Sequence, residues 1–177
     1  METHPQNSKV VFRSPNLEDG AAIHQLIMDS PPLDVNSSYL YMLQATHFAD
    51  TCLVAEVGQR IVGFVSGYMR PDDKDSLFVW QIAVSESMRG QGLAQKMLKA
   101  LLKNVCEQQS VGKLCCTISP TNLASQSLFK RFAANYELDI RVEDFIEPNH
   151  FGNAQHEAEQ LYTISQSNND NLNSIQF

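Results

Sequence analysis

The stretch Phe78–Leu102, FVWQIAVSESMRGQGLAQKMLKALL, decides the fold. A strand-like run ends at Val84, a short polar stretch follows, and Arg89-Gly90-Gln91-Gly92 leads into a segment where Leu93, Met97, Leu98, Leu101 and Val105 fall on one stripe. That spacing is the 3.6-residue period of an amphipathic helix, with Lys96, Lys99, Lys103 and Asn104 largely on the other faces. The first N–H groups of a helix have no partner within the helix and carry about half a positive charge, so they attract anions. Glycines at 90 and 92 leave out the side chains that would keep a phosphate away from those amides. A plain glycine turn has the same local sequence, since short glycine motifs match often by chance. Context favours binding: the turn closes an apolar strand, opens a long helix, and lies between three strands and a further strand-helix pair.

Working outward, Val10–Ser14 reads as a strand, and Asn16 is placed to cap a helix reaching about Asp29, with Ile23, Leu26 and Ile27 on one face. After the break at Pro31-Pro32, Asn36 or Ser37 can cap a short helix through Phe48. Cys52–Glu56 and Arg60–Arg70 flank the turn VGQR as a hairpin does, and Leu77–Val84 is the next strand. Lys113–Ile118 reads as a strand, Thr121 to about Ala134 as a helix, YELDIRVEDF alternates as a strand should, and Glu159–Ser165 is a last strand. The order β α α β β β α β α β β predicts an α/β (α+β mixed) domain, a mixed sheet with helices on its faces. Residues 1–8 are expected to form a disordered N-terminal arm, 9–165 the domain, and 166–177 a polar C-terminal tail with little reason to order.

The 177 residues suit a single domain with a sizeable core. Lys and Arg number 13 against 20 Asp and Glu, a formal charge of −7, and no basic cluster follows a nucleic acid or an anionic membrane surface. An acidic chain is better matched to a cationic small molecule. The opening METHPQNSK has no apolar core of a signal peptide, and no run approaches the roughly 20 residues of a membrane span, so a cytoplasmic location is expected. Cys52, Cys106, Cys115 and Cys116 have no metal-ligand spacing and read as reduced, mostly buried residues. No metal is expected.

Arg89, Gly92 and Ala94 match the R/Q-x-x-G-x-G/A signature of the GCN5-related N-acetyltransferase (GNAT) superfamily, and over about residues 8–165 the chain resembles it. A second match is SPTNLASQSLFKRF, with Asn122, Ser125, Leu128 and Phe129 at the spacing of that family's Asn-containing helix. The resemblance implies a GNAT fold: a central, mostly antiparallel mixed sheet whose strands 4 and 5 splay apart, flanked by helices. It implies acetyl-CoA as co-substrate, its diphosphate on Arg89, Gly90, Gln91, Gly92, Leu93 and Ala94, and its pantetheine along Ile82, Ala83 and Val84. Asn122, Ser125 and Phe129 would border it. A Walker phosphate loop is a poor rival, since the Lys-Ser/Thr pair is missing.

The stretches SPPLDVNSSYLYMLQATHFADTCLVAE, IVGFVSGY and LFVWQIAVSESMRGQGLAQKML resemble a narrower family, the L-2,4-diaminobutyric acid acetyltransferases of ectoine biosynthesis. That resemblance implies acetylation of the γ-amine of L-2,4-diaminobutyrate in osmoadaptation, by a homodimer. It also assigns the acceptor pocket to Asp34, Tyr39, Trp80, His156 and Glu159, with Glu159, His156 and Tyr39 as the catalytic candidates. From the residues alone, a solvated loop carboxylate or local cap is the commoner reading of Asp34, core that of Trp80 and surface solvation that of His156 and Glu159, while Tyr39 is either a core-facing helix residue or a hydroxyl directed at the acceptor. His150, His156 and Glu159 fit no standard zinc spacing.

The amine must lose a proton before it attacks, and Glu159, Asp34, His156 or a water chain ending at one of them can take it. A backbone N–H near Ala83 or Val84 is placed for the oxyanion. Phe129 stands where many superfamily members carry a tyrosine that protonates the leaving thiolate, which leaves the acid to Tyr39 or to unassisted departure. Two alternatives stay open: a GNAT enzyme for another amine, such as a protein N-terminus or a polyamine, and a non-catalytic acyl-CoA-binding module.

Overall fold

The computed structural model describes residues 9–152, 156–168 and 170–177. In chain order its elements are β1 Val10–Arg13, α1 Gly20–Met28, α2 Ser38–Gln44, β2 Leu53–Val57, β3 Arg60–Met69, β4 Ser76–Val84, α3 Leu93–Gln108, β5 Lys113–Ile118, α4 Leu123–Asn135, β6 Asp139–Ile146 and β7 Glu159–Ser165. The hydrogen-bonded strand order is β1-β2-β3-β4-β5-β7-β6, with β4–β5 the parallel pair. This is the expected element order and the expected mixed sheet. The chain forms two compact units: residues up to Ser66 with Gln81–Ala100, and Gly67–Trp80 with Leu101–Phe177.

In the first unit β1 and β2 run antiparallel from Val10↔Val57, and β2 turns into β3 through Gly58, whose φ of +64° suits the tight hairpin. The apolar stripe of α1, Ile23, Leu26 and Ile27, packs in a buried cluster with Tyr41, Val54, Phe64 and Ala83. A Cβ at Gly63 would lie 2.5 Å from the Met97 sulfur, so the missing side chain lets the start of α3 sit against β3. Asn16 caps a single 3-10 turn, Leu17–Asp19, in a reciprocal capping box with Asp19, and α1 itself begins only at Gly20. Ser37 rather than Asn36 caps α2, which stops at Gln44, short of Phe48.

In the second unit β5 and β6 both pair antiparallel with β7, the register running from Lys113↔Ser165 and Asp139↔Ser165. β6 starts later than its alternation suggests because Glu137 turns the chain with φ +54°. Asp75 accepts the backbone N–H groups of Gly112 and Lys113, and Asp73 takes the Lys113 ammonium at 3.0 Å, fastening the β3–β4 loop to β5.

The tail departs from expectation. Leu172 is fully buried, and Phe177 stacks 6.2 Å from Phe132. Asn173 donates through Nδ2 to the carbonyls of Cys106 and Gln109 at 2.7 and 2.8 Å and accepts from Val111 N–H at 2.8 Å. It thus serves the carbonyls that α3 cannot satisfy at its C-terminal end. The N-terminal arm, residues 1–8, lies outside the described residues.

Arg13 forks onto Asp19 with contacts of 2.7 and 2.9 Å and also reaches Glu56 at 2.8 Å. These hydrogen bonds hold the Asp19 pKa below the usual carboxylate value, against the opposing effect of burial. A lowered folded pKa gives stability that is complete above the unfolded value of ~3.9 and is lost as pH falls through the folded one. Asp19→Asn is therefore expected to be less stable at pH 7 and to lose less stability between pH 4 and pH 2 than the native chain in urea unfolding. Equal slopes would contradict the clamp.

Candidate functional site

β4 ends at Val84, and Ser85 N–H donates to the Val62 carbonyl at 2.8 Å. One 3-10 turn, Glu86–Met88, carries the chain to Arg89 in an extended conformation. Gly90 and Gly92 then adopt φ of +74° and +72°, a left-handed pair that side-chain-bearing residues resist, before α3 starts. Arg89 Nε donates to the Val84 carbonyl at 3.1 Å and Gln91 Nε2 to the Ser87 carbonyl at 3.1 Å. Both long side chains thus fold back onto carbonyls. Among the described residues no oxygen is hydrogen-bonded to the backbone N–H of Gly90, Gln91, Gly92, Leu93 or Ala94. A Cβ built at Gly90 or Gly92 would meet nothing within 4 Å, so the space beside these glycines is open. The arrangement offers consecutive donors and a helix N-terminus to an anion of diphosphate size.

The β4–β5 ladder pairs Ser76–Phe78 with Lys113–Cys115, and β4 continues to Val84. Within the first unit a buried polar chain holds this part of β4. Gln81 N–H donates to Ser66 Oγ at 3.1 Å, the Tyr41 hydroxyl donates to Gln81 Oε1 at 3.3 Å, and Gln81 Nε2 donates to the Asp34 carbonyl at 2.7 Å. Tyr41 Oη in turn accepts from Asn36 N–H at 3.2 Å. The segment 34–36 is pinned to β4 by these bonds, while Asp34 itself is exposed.

Tyr39 is 67% exposed and Tyr41 fully buried, so the core-facing alternative falls to Tyr41 and not to Tyr39. Residues two apart on a helix point about 200° apart, which two turns of sequence do not resolve. Gln81 and Tyr41 were missed as positioning residues. The signal available was an amide inside an otherwise apolar strand.

In the second unit Trp80 is 48% exposed, which removes the core alternative. It lines a cavity of about 460 Å³ together with Tyr68, Arg70, Phe78, Phe145 and Leu161. Glu159 is two residues from Leu161 on β7, hence on the same strand face, and pairs across the ladder with Ile146, which also lines the cavity. His156 stacks on Phe151 with ring centroids 4.4 Å apart. Next to it, Glu157 accepts from the Thr121 hydroxyl at 2.7 Å, tying this segment to the start of α4. Asn122 Oδ1 caps α4 by accepting from Ser125 N–H at 3.0 Å, and Phe129 is buried on that helix. Burial pushes the Cys106 thiol up to about 11, so it is a protonated apolar group at neutral pH. No group of three metal-ligating side chains occurs among the described residues, and no helix there is long and apolar enough to cross a membrane.

The sequence model of the acetyltransferase (GNAT) family matches residues 20–134. The chain is 44% identical over 156 residues to an L-2,4-diaminobutyric acid acetyltransferase of Methylotuvimicrobium alcaliphilum, covering 88% of this chain and 90% of that one. It is 43% identical over 158 residues to the enzyme of the same name from Vibrio parahaemolyticus, covering 89% and 87%. Among solved structures it resembles the diaminobutyrate acetyltransferase of Paenibacillus lautus in complex with its substrate L-2,4-diaminobutyric acid and coenzyme A. The TM-score there is 0.84 and the identity 38%, over 90% of this chain and 96% of that one.

Proposed function

The chain belongs to the GNAT acetyltransferase family, and from that premise we propose that it transfers acetyl from acetyl-CoA to the γ-amine of L-2,4-diaminobutyrate. The product is N-γ-acetyl-L-2,4-diaminobutyrate, used in ectoine synthesis for osmoadaptation. One observation carries the proposal: 38% identity over 90% of the chain to an enzyme solved with both that amino acid and coenzyme A. The unpartnered amides of Gly90–Ala94 supply a fitting cradle for the diphosphate of the co-substrate. Ile82, Ala83 and Val84 are assigned to the pantetheine arm, and Asn122, Ser125 and Phe129 to its border. Residues 9–165 are taken as the catalytic domain. The proposal includes a cytoplasmic homodimer, favoured by the exposed Val142 on the edge strand β6.

An alkyl ammonium with a pKa of about 10.4 is neutral in roughly one molecule per thousand near pH 7.5, a penalty of about 4 kcal/mol. A base must remove the proton, and a carboxylate that only pairs with the ammonium raises its pKa. The two nitrogens therefore need different partners. In the proposal Glu159, with His156, receives the γ-ammonium proton, while the face of Trp80 meets the α-ammonium. The nitrogen lone pair attacks the thioester carbon, the C–S bond breaks, the sulfur leaves as thiolate, and the nitrogen's remaining extra proton leaves through solvent and makes good the one the thiolate takes up. A backbone N–H at Ala83 or Val84 stabilises the oxyanion. Phe129 has no hydroxyl, so Tyr39 is the residue assigned to return a proton to the thiolate, whose ordinary pKa near 8.5 makes it a tolerable leaving group.

Phe129 is also the observation favouring a non-catalytic acyl-CoA-binding module. Purified protein given acetyl-CoA and a panel of amines is expected to release free CoA with L-2,4-diaminobutyrate and to acetylate its γ-nitrogen. Acetylated peptide or polyamine with diaminobutyrate untouched would overturn the acceptor. Thermal stabilisation by acetyl-CoA without CoA release would overturn catalysis. The cradle has a matched control, because Gly58 also has positive φ and open space beside it, at +64° in the β2–β3 hairpin. Gly58→Ala and Gly92→Ala should lose similar stability, on the order of 1 kcal/mol. Only Gly92→Ala should weaken coenzyme A binding, by about tenfold or more in calorimetry.

A further inference from the structure

An α-amino acid acceptor brings a carboxylate as well as two ammonium groups, and a site that selects it needs a cation. Resting on the reaction just proposed, we propose that Arg70 binds the α-carboxylate of the acceptor, in the cavity that Trp80 lines.

The cavity of about 460 Å³ lies in the second unit and is of the size that small-molecule sites have. Its walls are largely aromatic: Tyr68 and Phe78 sit with ring centroids 5.2 Å apart, and Trp80 and Phe145 are both about half exposed. Arg70 and Asp72 are the charged residues in its lining. Asp72 takes Nε of Arg70 at 3.1 Å and Nη2 at 2.7 Å, while a guanidinium has five N–H donors, so donors remain for a ligand. The Arg70 side chain is 21% exposed and that of Asp72 67%. The pair is two-pronged, and its carboxylate side faces solvent, from which a ligand can reach the remaining N–H groups. The arginine is the more buried partner and the aspartate the more exposed one.

A lining of one guanidinium and one carboxylate is neutral overall and carries both signs. It complements the α-carbon end of an amino acid, whose carboxylate meets the planar guanidinium fork and whose ammonium meets Asp72 and the Trp80 face. A simple anion that takes the guanidinium leaves Asp72 without a cation, whereas an amino acid brings an ammonium to replace it. An amine without a carboxylate leaves the Arg70–Asp72 pair as it stands and gains nothing from it. Arg70 therefore separates amino-acid acceptors from simple diamines. On the sequence this residue only closes the β3 strand pattern, and its role emerges when the loop after β3 brings Asp72 onto it.

The test compares L-2,4-diaminobutyrate with 1,3-diaminopropane, which keeps the spacing of the two nitrogens and lacks the carboxylate. Arg70→Met should raise KM for diaminobutyrate roughly 30-fold or more with kcat nearly unchanged. The KM for 1,3-diaminopropane and for acetyl-CoA should stay within about threefold. Arg70→Lys, which keeps the charge and loses the fork, should give an intermediate KM, and it decides the matter if Arg70→Met fails to fold. Equal losses with both amines, or an unchanged KM for diaminobutyrate, would overturn the assignment. Should the native protein acetylate neither amine, the reaction itself is wrong, and calorimetry still judges Arg70. Diaminobutyrate binding lost in Arg70→Met supports the assignment; equal affinity in both proteins overturns it.

Discussion

An α-helix cannot satisfy its own first backbone donors, and at the start of α3 the chain leaves those donors to something other than itself. Gly90 and Gly92 hold left-handed conformations that turn the backbone out of β4, and the side chains of Arg89 and Gln91 bond to carbonyls behind it. A helix with one end open in this way has to be held firmly elsewhere. Leu93, Met97 and Leu98 are buried, Met97 sits where Gly63 has no side chain, and Asn173 satisfies the far end. Acetyl transfer then depends on which nitrogen is presented to the thioester, and how deprotonated, more than on covalent help from the protein.

Most of the fold could be read from local pattern. Lys113–Ile118 and Glu159–Ser165 are strands with the bounds that alternation suggests, and the Leu93-to-Val105 stripe is a helix because its 3.6-residue period repeats over four turns. Boundaries failed where one bond decides them. Asn16 has the chemistry of a helix cap and uses it on a 3-10 turn that Asp19 closes. The tail failed for a different reason: 166–177 is polar by composition, and what orders it is Leu172, Asn173 and Phe177 meeting partners more than 40 residues earlier in the chain. Composition averages over these three residues and hides them.

The candidate site was legible in proportion to how much of it is backbone. A glycine turn between strand and helix announces itself, since only a few residue types permit it. Side-chain constellations do not. Tyr39 and Tyr41 are indistinguishable by type and separable only by the face that α2 turns inward. Gln81 reads as an interruption of an apolar strand, and its function is to receive Tyr41 and fasten the carbonyl of Asp34. Trp80 has the opposite character, an aromatic residue of a strand that would pass for core yet opens on a cavity beside Arg70.

Binding of the acyl carrier rests on its diphosphate reaching the amides from Gly90 to Ala94. Amide-resolved NMR of the labelled chain, titrated in parallel with coenzyme A and with pantetheine, which has the thiol arm and no diphosphate, tests it most directly. Coenzyme A is expected to move the Gly90 and Gly92 amide protons downfield, together with those that follow into α3, and pantetheine to leave them in place. Coenzyme A binding that shifts other amides while these five stay unmoved would contradict it.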